Sequence, residues 1–270
     1  MLINSTKQNS VGSLDNWQKT IDKVNDPFKM IRYKFYHYAI RTSFFICYLL
    51  VLVIPAAFMG CSPKKEVVTE QNRVEVLTRY GKEHKENEVI IETEFGTMKL
   101  KLYEDTPLHR ANFIKLINDG YYEKADFHRI VPRFMIQGGD NNNKLPYHIP
   151  SEFNPNHFHQ RGALAMARFD DAENPDKESS STEFYIVQGQ IYTDEDLEEE
   201  EKEFGIQVTP EQREIYKTKG GEMSLDTRYT VFGEVTEGFD VIDKIAAVRI
   251  HQIDKPVKKI PFRIFYGTAR

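Results

Sequence analysis

FHRIVPRFMIQGGD, residues 127–140, decides how this chain is read. Phe127, Ile130, Val131, Phe134, Met135 and Ile136 are apolar, and His128, Arg129, Arg133 and Gln137 sit among them. In an extended segment alternate residues point to opposite faces. Arg129, Val131 and Arg133 then share one face, and His128 and Ile130 the other. Pro132 breaks a strand register, so the segment bends there. Beyond the bend, Phe134, Met135 and Gln137 bring an apolar patch and an amide toward Arg129. Gly138-Gly139-Asp140 closes the run with a turn signal.

Working outward, the flanks read as strands, turns and two helices. Val89, Ile91 and Thr93 alternate with charged residues, Gly96 turns the chain, and Met98, Leu100 and Leu102 alternate again, as in a hairpin. Thr106-Pro107 predicts a helix start. Ala111, Phe113, Ile114 and Ile117 give that helix an apolar face, and Gly120 stops it. Residues 141–160 are a loop rich in Asn, His and Pro. Gly162 to Arg168 and Glu183 to Val187 read as strands around the hydrophilic loop 170–181. Phe239, Val241, Ile242 and Ile245 fit a second helix, and Ile260 to Tyr266 a closing strand. Strands separated by turns, with two helices, predict a mainly β fold: a closed antiparallel barrel.

The run 127–140 resembles the signature of the cyclophilins, the peptidyl-prolyl cis-trans isomerases. Pro150–Phe153, Gly162–Arg168, Glu183–Val187, Leu225-Asp226 and Tyr229–Val235 continue the resemblance in order. It covers roughly residues 88–266 and leaves out 191–220. It implies an eight-stranded barrel capped by two α-helices. It assigns Arg129 as the catalytic cation and Gln137 as the amide that orients it. Phe134, Met135, Tyr185, Leu225 and Tyr229 match proline-pocket positions. Ala167 and Arg168 match the strand that pairs with substrate backbone. Departures are Tyr185 for a usual Phe, Tyr229 for a common His, Arg168 for a common Asn and Glu183 for a common Gln. Ser224 falls where many relatives carry Trp.

The chemistry suits this residue set. Rotation about a peptide bond costs ~18–20 kcal/mol because the C–N bond has double-bond character. A guanidinium aimed at the prolyl nitrogen stabilises the twisted state, in which that nitrogen becomes a better acceptor. No nucleophile, metal or cofactor is required, and none is expected. Lifting a rate of about 10⁻² to 10–10³ per second needs roughly 4–7 kcal/mol. A charged hydrogen bond supplies only about 1.5–3 kcal/mol. A dry apolar pocket that holds the twisted substrate must supply the rest. The expected partners are therefore Pro-containing peptide or protein segments. A module that holds such segments without turning them over is the competing class. His157 and His159 are spaced for one strand face, but no Cys or carboxylate completes a metal set there.

The N-terminal part carries different information. Of 36 Lys and Arg and 41 Asp and Glu, residues 1–61 hold seven and three, leaving an acidic body with a balance of −9. An acidic body argues against nucleic acid. The two cysteines, Cys47 and Cys61, both precede it, so no disulfide framework exists. Arg32, Lys34 and Arg41 precede the apolar stretch Phe44–Met59, and Gly60-Cys61 follows. This order marks an export signal, and its junction resembles a bacterial lipoprotein site with Cys61 lipidated. An uncleaved anchor is the alternative, at the short limit for a span. Residues 1–60 are thus read as an extension plus signal or anchor, 61–87 as a polar spacer with a short helix around Val74–Tyr80, and 88–270 as the isomerase domain. The expected location is the bacterial cell envelope, membrane-anchored and extracytoplasmic, on the periplasmic side, with exported proteins as clients. Within the domain, 191–220 reads as an inserted acidic helical segment. Asp194–Glu203 is a run of acidic residues, and Thr209-Pro210-Glu211-Gln212 is a capping box.

Overall fold

The computed structural model describes residues 66–266, together with Ile31, Arg32, Phe35 and Tyr38, which are helical. The apolar stretch 44–59 and Cys61 lie outside the described residues. The chain divides at Lys65, and the architecture below belongs to the unit that begins at Glu66. Among the described residues no helix is long and apolar enough to cross a membrane.

Strands β1 (Glu88–Thr93) and β2 (Gly96–Leu102) form the expected hairpin, with Thr93 opposite Gly96. Strands β3 (Phe127–Val131), β4 (Met135–Gly138), β6 (Ala163–Met166), β8 (Phe184–Val187), β9 (Val231–Glu237) and β10 (Phe262–Tyr266) complete one antiparallel sheet. Its order is β10-β1-β2-β9-β6-β8-β4-β3. Two short strands, β5 (His148–Ile149) and β7 (Ser179–Ser180), pair separately.

The expected closed barrel is corrected here to an open one. Edge strands β3 and β10 share no ladder, only an isolated bridge between Asp126 and Pro261 and a 3.0 Å bond from Phe127 N–H to the Ile260 carbonyl. Two local facts stop the ladder. Pro261 has no N–H to continue it. The Ile130 N–H is taken instead by the Asp254 carbonyl at 2.7 Å, from a loop laid along that edge.

Strands β6 and β8 are buried along their whole length, which explains runs such as ALAM and FYIV that do not alternate. One face, with Leu164, Met166, Phe184 and Ile186, joins the main core beside Phe113, Phe127, Phe232 and Phe262. The other face carries Met135, Ala163, Ala165, Tyr185, Val187 and Val231 as a second, smaller cluster. In the main core Phe113 meets Phe184 and Phe232 edge-on at 5.5 and 5.4 Å. Truncating such a ring costs about 3–5 kcal/mol.

Helix α2 (Pro107–Asn118) and helix α5 (Phe239–Ala246) pack on the sheet. Thr106 does not cap α2; its hydroxyl bonds the Tyr103 carbonyl at 3.4 Å. The Glu152 carboxylate accepts instead from the Leu108 and His109 N–H groups at 3.0 and 2.9 Å. A negative charge at a helix N-terminus is favourable there.

A further helix, α1 (Arg73–Glu83), stands where the stretch 61–87 suggested a short helix around Val74–Tyr80, and runs slightly longer. Val76 and Leu77 are buried in the main core. Gly81 allows a close approach to α2, since a methyl group there would come within 3.1 Å of Ala111 Cβ. The buried Arg110 guanidinium donates to the Gly81, His84 and Glu86 carbonyls at 3.1, 3.0 and 3.3 Å. Residues from Glu66 onward therefore belong to the folded unit, although the sequence reading began it at Glu88.

Residues 191–220 form helices α3 (Asp194–Phe204) and α4 (Pro210–Thr218), each opened by a complete capping box, on Thr193 and Thr209. Leu197 and Tyr216 bury against Tyr192 and Met223 as a third small cluster. Arg213 and Lys217 of α4 pair with Asp194 of α3 at 3.2 and 2.6 Å.

Candidate active site

The β3–β4 turn sets the site. Pro132 and Arg133 occupy its centre, with Arg133 at φ 65 and the Phe134 N–H bonded to the Val131 carbonyl at 3.0 Å. Proline first and positive φ second is the pattern of a type II turn. Arg133 replaces the usual Gly there and is held by Gln188, which accepts its N–H at 2.7 Å, and by Gln190, which accepts from Nη2 at 2.7 Å. The turn swings Phe134 and Met135 back beside Arg129. Register then aligns one row across the sheet: Arg129 opposite Gln137, Gln137 opposite Tyr185, Tyr185 opposite Ala165, and Ala165 opposite Val231.

On this face lies a cleft of about 260 Å³, lined by Arg129, Phe134, Met135, Gln137, Ala167, Arg168, Tyr185, Leu225 and Tyr229. Nine of the ten expected catalytic and substrate-binding residues therefore meet in one place. The tenth, Glu183, stands behind Gln137 and accepts from its Nε2 at 2.8 Å. The Gln137 amide is oriented by both neighbours, because Arg129 Nη1 donates to its Oε1 at 3.4 Å. Glu183 also pairs with His128 at 3.4 Å. The His128 hydrogen bond holds the Glu183 carboxyl below its usual range against the opposing effect of burial. Burial presses the His128 imidazole down, but the Glu183 carboxylate outweighs it and the net shift is upward. Arg129 is exposed and also faces Asp254 Oδ2 at 3.4 Å. Its guanidinium is thus held loosely at the mouth of the cleft, open to a ligand.

Arg168 lines the cleft with a side chain that is already bonded inside the protein. Its guanidinium donates to the Arg228 and Phe169 carbonyls at 2.8 Å each, pairs with Asp171 at 2.7 Å and lies 4.6 Å over the Tyr229 ring. Its side chain is occupied within the protein and braces Tyr229. Ala167 likewise spends both backbone groups internally: its N–H on the Glu183 carbonyl at 2.9 Å, its carbonyl on the Ser180 N–H at 2.8 Å.

Sequence reasoning missed the polar residues behind the cleft. Tyr185 Oη lies 2.9 Å from His159 Nε2, and His159 Nδ1 lies 2.8 Å from Asp226. The signal was present: a hydroxyl where relatives carry Phe needs a buried partner. His157 and His159 do not converge; His157 pairs with Asp105 at 2.7 Å. Among the described residues, Glu70, His148 and Glu178 place ligand atoms within 4.8 Å of one another. Arg73 pairs with both carboxylates, so that charge is already balanced by the protein.

The open eight-stranded sheet, and a cleft that brings the Arg129 guanidinium and the oriented Gln137 amide together, fit the peptide-rotating isomerases that the resemblance implies. Comparison with known proteins agrees. A family model described as "Cyclophilin type peptidyl-prolyl cis-trans isomerase/CLD" matches residues 88–264. A Staphylococcus epidermidis "Putative peptidyl-prolyl cis-trans isomerase" is 32% identical over 67% of this chain and 94% of its own length. A Streptococcus pyogenes "Putative bifunctional phosphatase/peptidyl-prolyl cis-trans isomerase" is 35% identical over 66% of this chain, which spans 38% of that relative's length. A Cryptosporidium parvum cyclophilin structure is similar in fold, with a TM-score of 0.52, 22% identity, and coverage of 68% of this chain and 99% of its own. The same protein has been solved in the presence of the dipeptide Ala-Pro. This chain belongs to the cyclophilin-type peptidyl-prolyl cis-trans isomerases.

Proposed function

We propose that the cleft around Arg129 is where this isomerase turns over X-Pro bonds, and that it acts at the cell envelope on exported proteins. The observation that carries the site is the convergence of Arg129, Gln137, Phe134, Met135, Tyr185 and Leu225 on one cleft. Proline's ring sits against Phe134, Met135, Leu225 and Tyr229. The Arg129 guanidinium approaches the prolyl nitrogen as conjugation is lost, and Gln137 bonds the neighbouring carbonyl. Desolvation by the apolar walls and the charged donor at the mouth share the 4–7 kcal/mol that is roughly needed. Glu183 acts through Gln137, and Arg168 through Tyr229.

The envelope reading rests on the order of basic residues, apolar stretch and Gly60-Cys61 in the sequence. In it, Cys61 is the lipidated first residue, or the apolar stretch stays as an anchor. Helices α3 and α4 are an insertion in this family member, since the resemblance passes over 191–220.

Exchange NMR on an X-Pro peptide with the full chain tests the site. Wild type accelerates exchange, and Phe134→Ala raises KM. Unchanged turnover in a folded Phe134→Ala chain overturns the assignment. Mass spectrometry of the membrane-extracted protein tests the envelope reading. A chain that stays soluble and carries an unmodified Cys61 overturns it.

A further inference from the structure

The wall of the cleft is tied to a buried polar row that bond rotation does not use. Tyr185 Oη lies 2.9 Å from His159 Nε2. Asp226 Oδ1 lies 2.8 Å from His159 Nδ1 and accepts the His159 backbone N–H at 2.8 Å. Asp226 Oδ2 accepts the Tyr216 hydroxyl at 2.6 Å. Tyr185, His159, Asp226 and Tyr216 are all buried. Burial, with Asp226 adding to it, pushes both phenols well above their usual range, so each is an O–H donor. Tyr216 donates to Asp226, and the His159 ring bridges Asp226 and the Tyr185 hydroxyl. Buried groups satisfied in this way hold one another in place, because breaking any one bond strands a polar atom.

The row has a direction. Tyr185 lines the cleft and His159 does not, so the hydroxyl is held by a residue behind the cleft wall. The His159 and Tyr185 rings are nearly parallel, 12° apart, and Tyr229 stands edge-on to both. Tyr216 brings α4 into the row. Gly221 makes that seat possible, since a Cβ there would fall 2.4 Å from the His159 carbonyl and 2.5 Å from the Tyr216 ring. A phenylalanine in place of Tyr185 would be held by packing alone. The tyrosine is pinned at its far end as well.

We propose that His159 and Asp226, backed by Tyr216 of α4, are positioning residues that fix the Tyr185 ring and so limit the size of the imino-acid ring the cleft accepts. The proposal rests on the reading of the cleft given above. A fixed wall rejects the extra methylene of a six-membered ring, and a wall free to tilt admits it.

The test compares two peptides, X-Pro and the same peptide with pipecolate in place of proline, by exchange NMR on the full chain. One extra methylene in a fixed pocket is expected to lower kcat/KM by roughly ten-fold or more in the wild type. In Asp226→Asn that discrimination shrinks to about three-fold or less, through KM. In a Tyr185→Phe background, adding Asp226→Asn leaves the discrimination where it was, because no hydroxyl remains to be held. Asp226→Asn that weakens both peptides equally, or changes neither, overturns the proposal. Tyr216→Phe removes one bond and no carbon volume. It decides the matter if Asp226→Asn does not fold, and undiminished discrimination there counts against the proposal. Arg129→Ala separates the two readings. Wild-type turnover in that variant defeats the cleft assignment itself. Lost turnover beside unchanged discrimination in Asp226→Asn defeats only the positioning role.

Discussion

Replacing Arg129 with alanine separates catalysis from stability because of where the side chain sits. The Asp254 pair at 3.4 Å is 44% exposed on the arginine side and 38% on the aspartate side. Exposed pairs contribute about 0.2–1 kcal/mol. The second contact, to Gln137 Oε1 at 3.4 Å, is at the long end of hydrogen bonding. The loss in folding free energy is therefore about 1 kcal/mol or less, a melting shift of roughly 2–4 °C at most for a domain of this size. The transition state loses more. A charged hydrogen bond to the prolyl nitrogen contributes about 1.5–3 kcal/mol, which converts to roughly 10- to 150-fold in kcat/KM. A protease-coupled isomerisation assay on the full chain measures it, with thermal unfolding beside it. Arg129→Lys keeps the charge but loses the planar fork, and falls between the two. A folded Arg129→Ala chain within about two-fold of wild type, less than 0.5 kcal/mol, refutes the assigned role.

The Glu183–His128 pair predicts a pH window. His128 is raised from 6.5, so its contribution is full below that value and fades as pH rises through the folded pKa; Glu183 is lowered from 4.5, so its contribution is full above that value and fades as pH falls through the folded pKa. The pair therefore stabilises most between about 4.5 and 6.5. Glu183→Gln is expected to return the His128 titration, followed by NMR, toward its ordinary value, and an unmoved titration contradicts the pairing. Leu77→Ala is expected to cost about 2–5 kcal/mol in denaturant unfolding, because Leu77 is fully buried. A loss under 1 kcal/mol would return that helix to the status of a spacer. Ser224 sits in the short helical turn Met223–Leu225 with its hydroxyl bonded to Glu222. The resemblance implies that a Trp there serves cyclosporin binding, so the wild type is expected to be poorly sensitive. Ser224→Trp is expected to gain ten-fold or more in affinity, about 1.4 kcal/mol. Nanomolar inhibition of the wild type, or no gain in the variant, argues against this.

Much of the fold was legible because local signals agreed with it. Gly96 turned the first hairpin, and Thr209-Pro210 opened a helix. The cleft was legible through the run 127–140, whose bend at Pro132 and pairing of Arg129 with Gln137 are both local. What was not legible depends on residues far apart in the chain. Thr106 looked like a cap, but a carboxylate from Glu152 took the place. Val76 and Leu77 lay in a charged stretch, and nothing local says that Arg110 will bind the carbonyls at that helix's end. Closure of the barrel depended on what the loop carrying Asp254 does to the edge of β3. The packing of the Arg168 guanidinium on the Arg228 carbonyl and the Tyr229 ring likewise depends on residues far along the chain.

The strand order has a consequence for synthesis. β1 lies between β2 and β10, and β2 lies between β1 and β9. The first hairpin to leave the ribosome therefore waits for the last two strands before either outer edge is satisfied. Sheets joined across such sequence separations fold in about milliseconds to seconds. Until the C-terminus emerges, this chain cannot finish its own sheet.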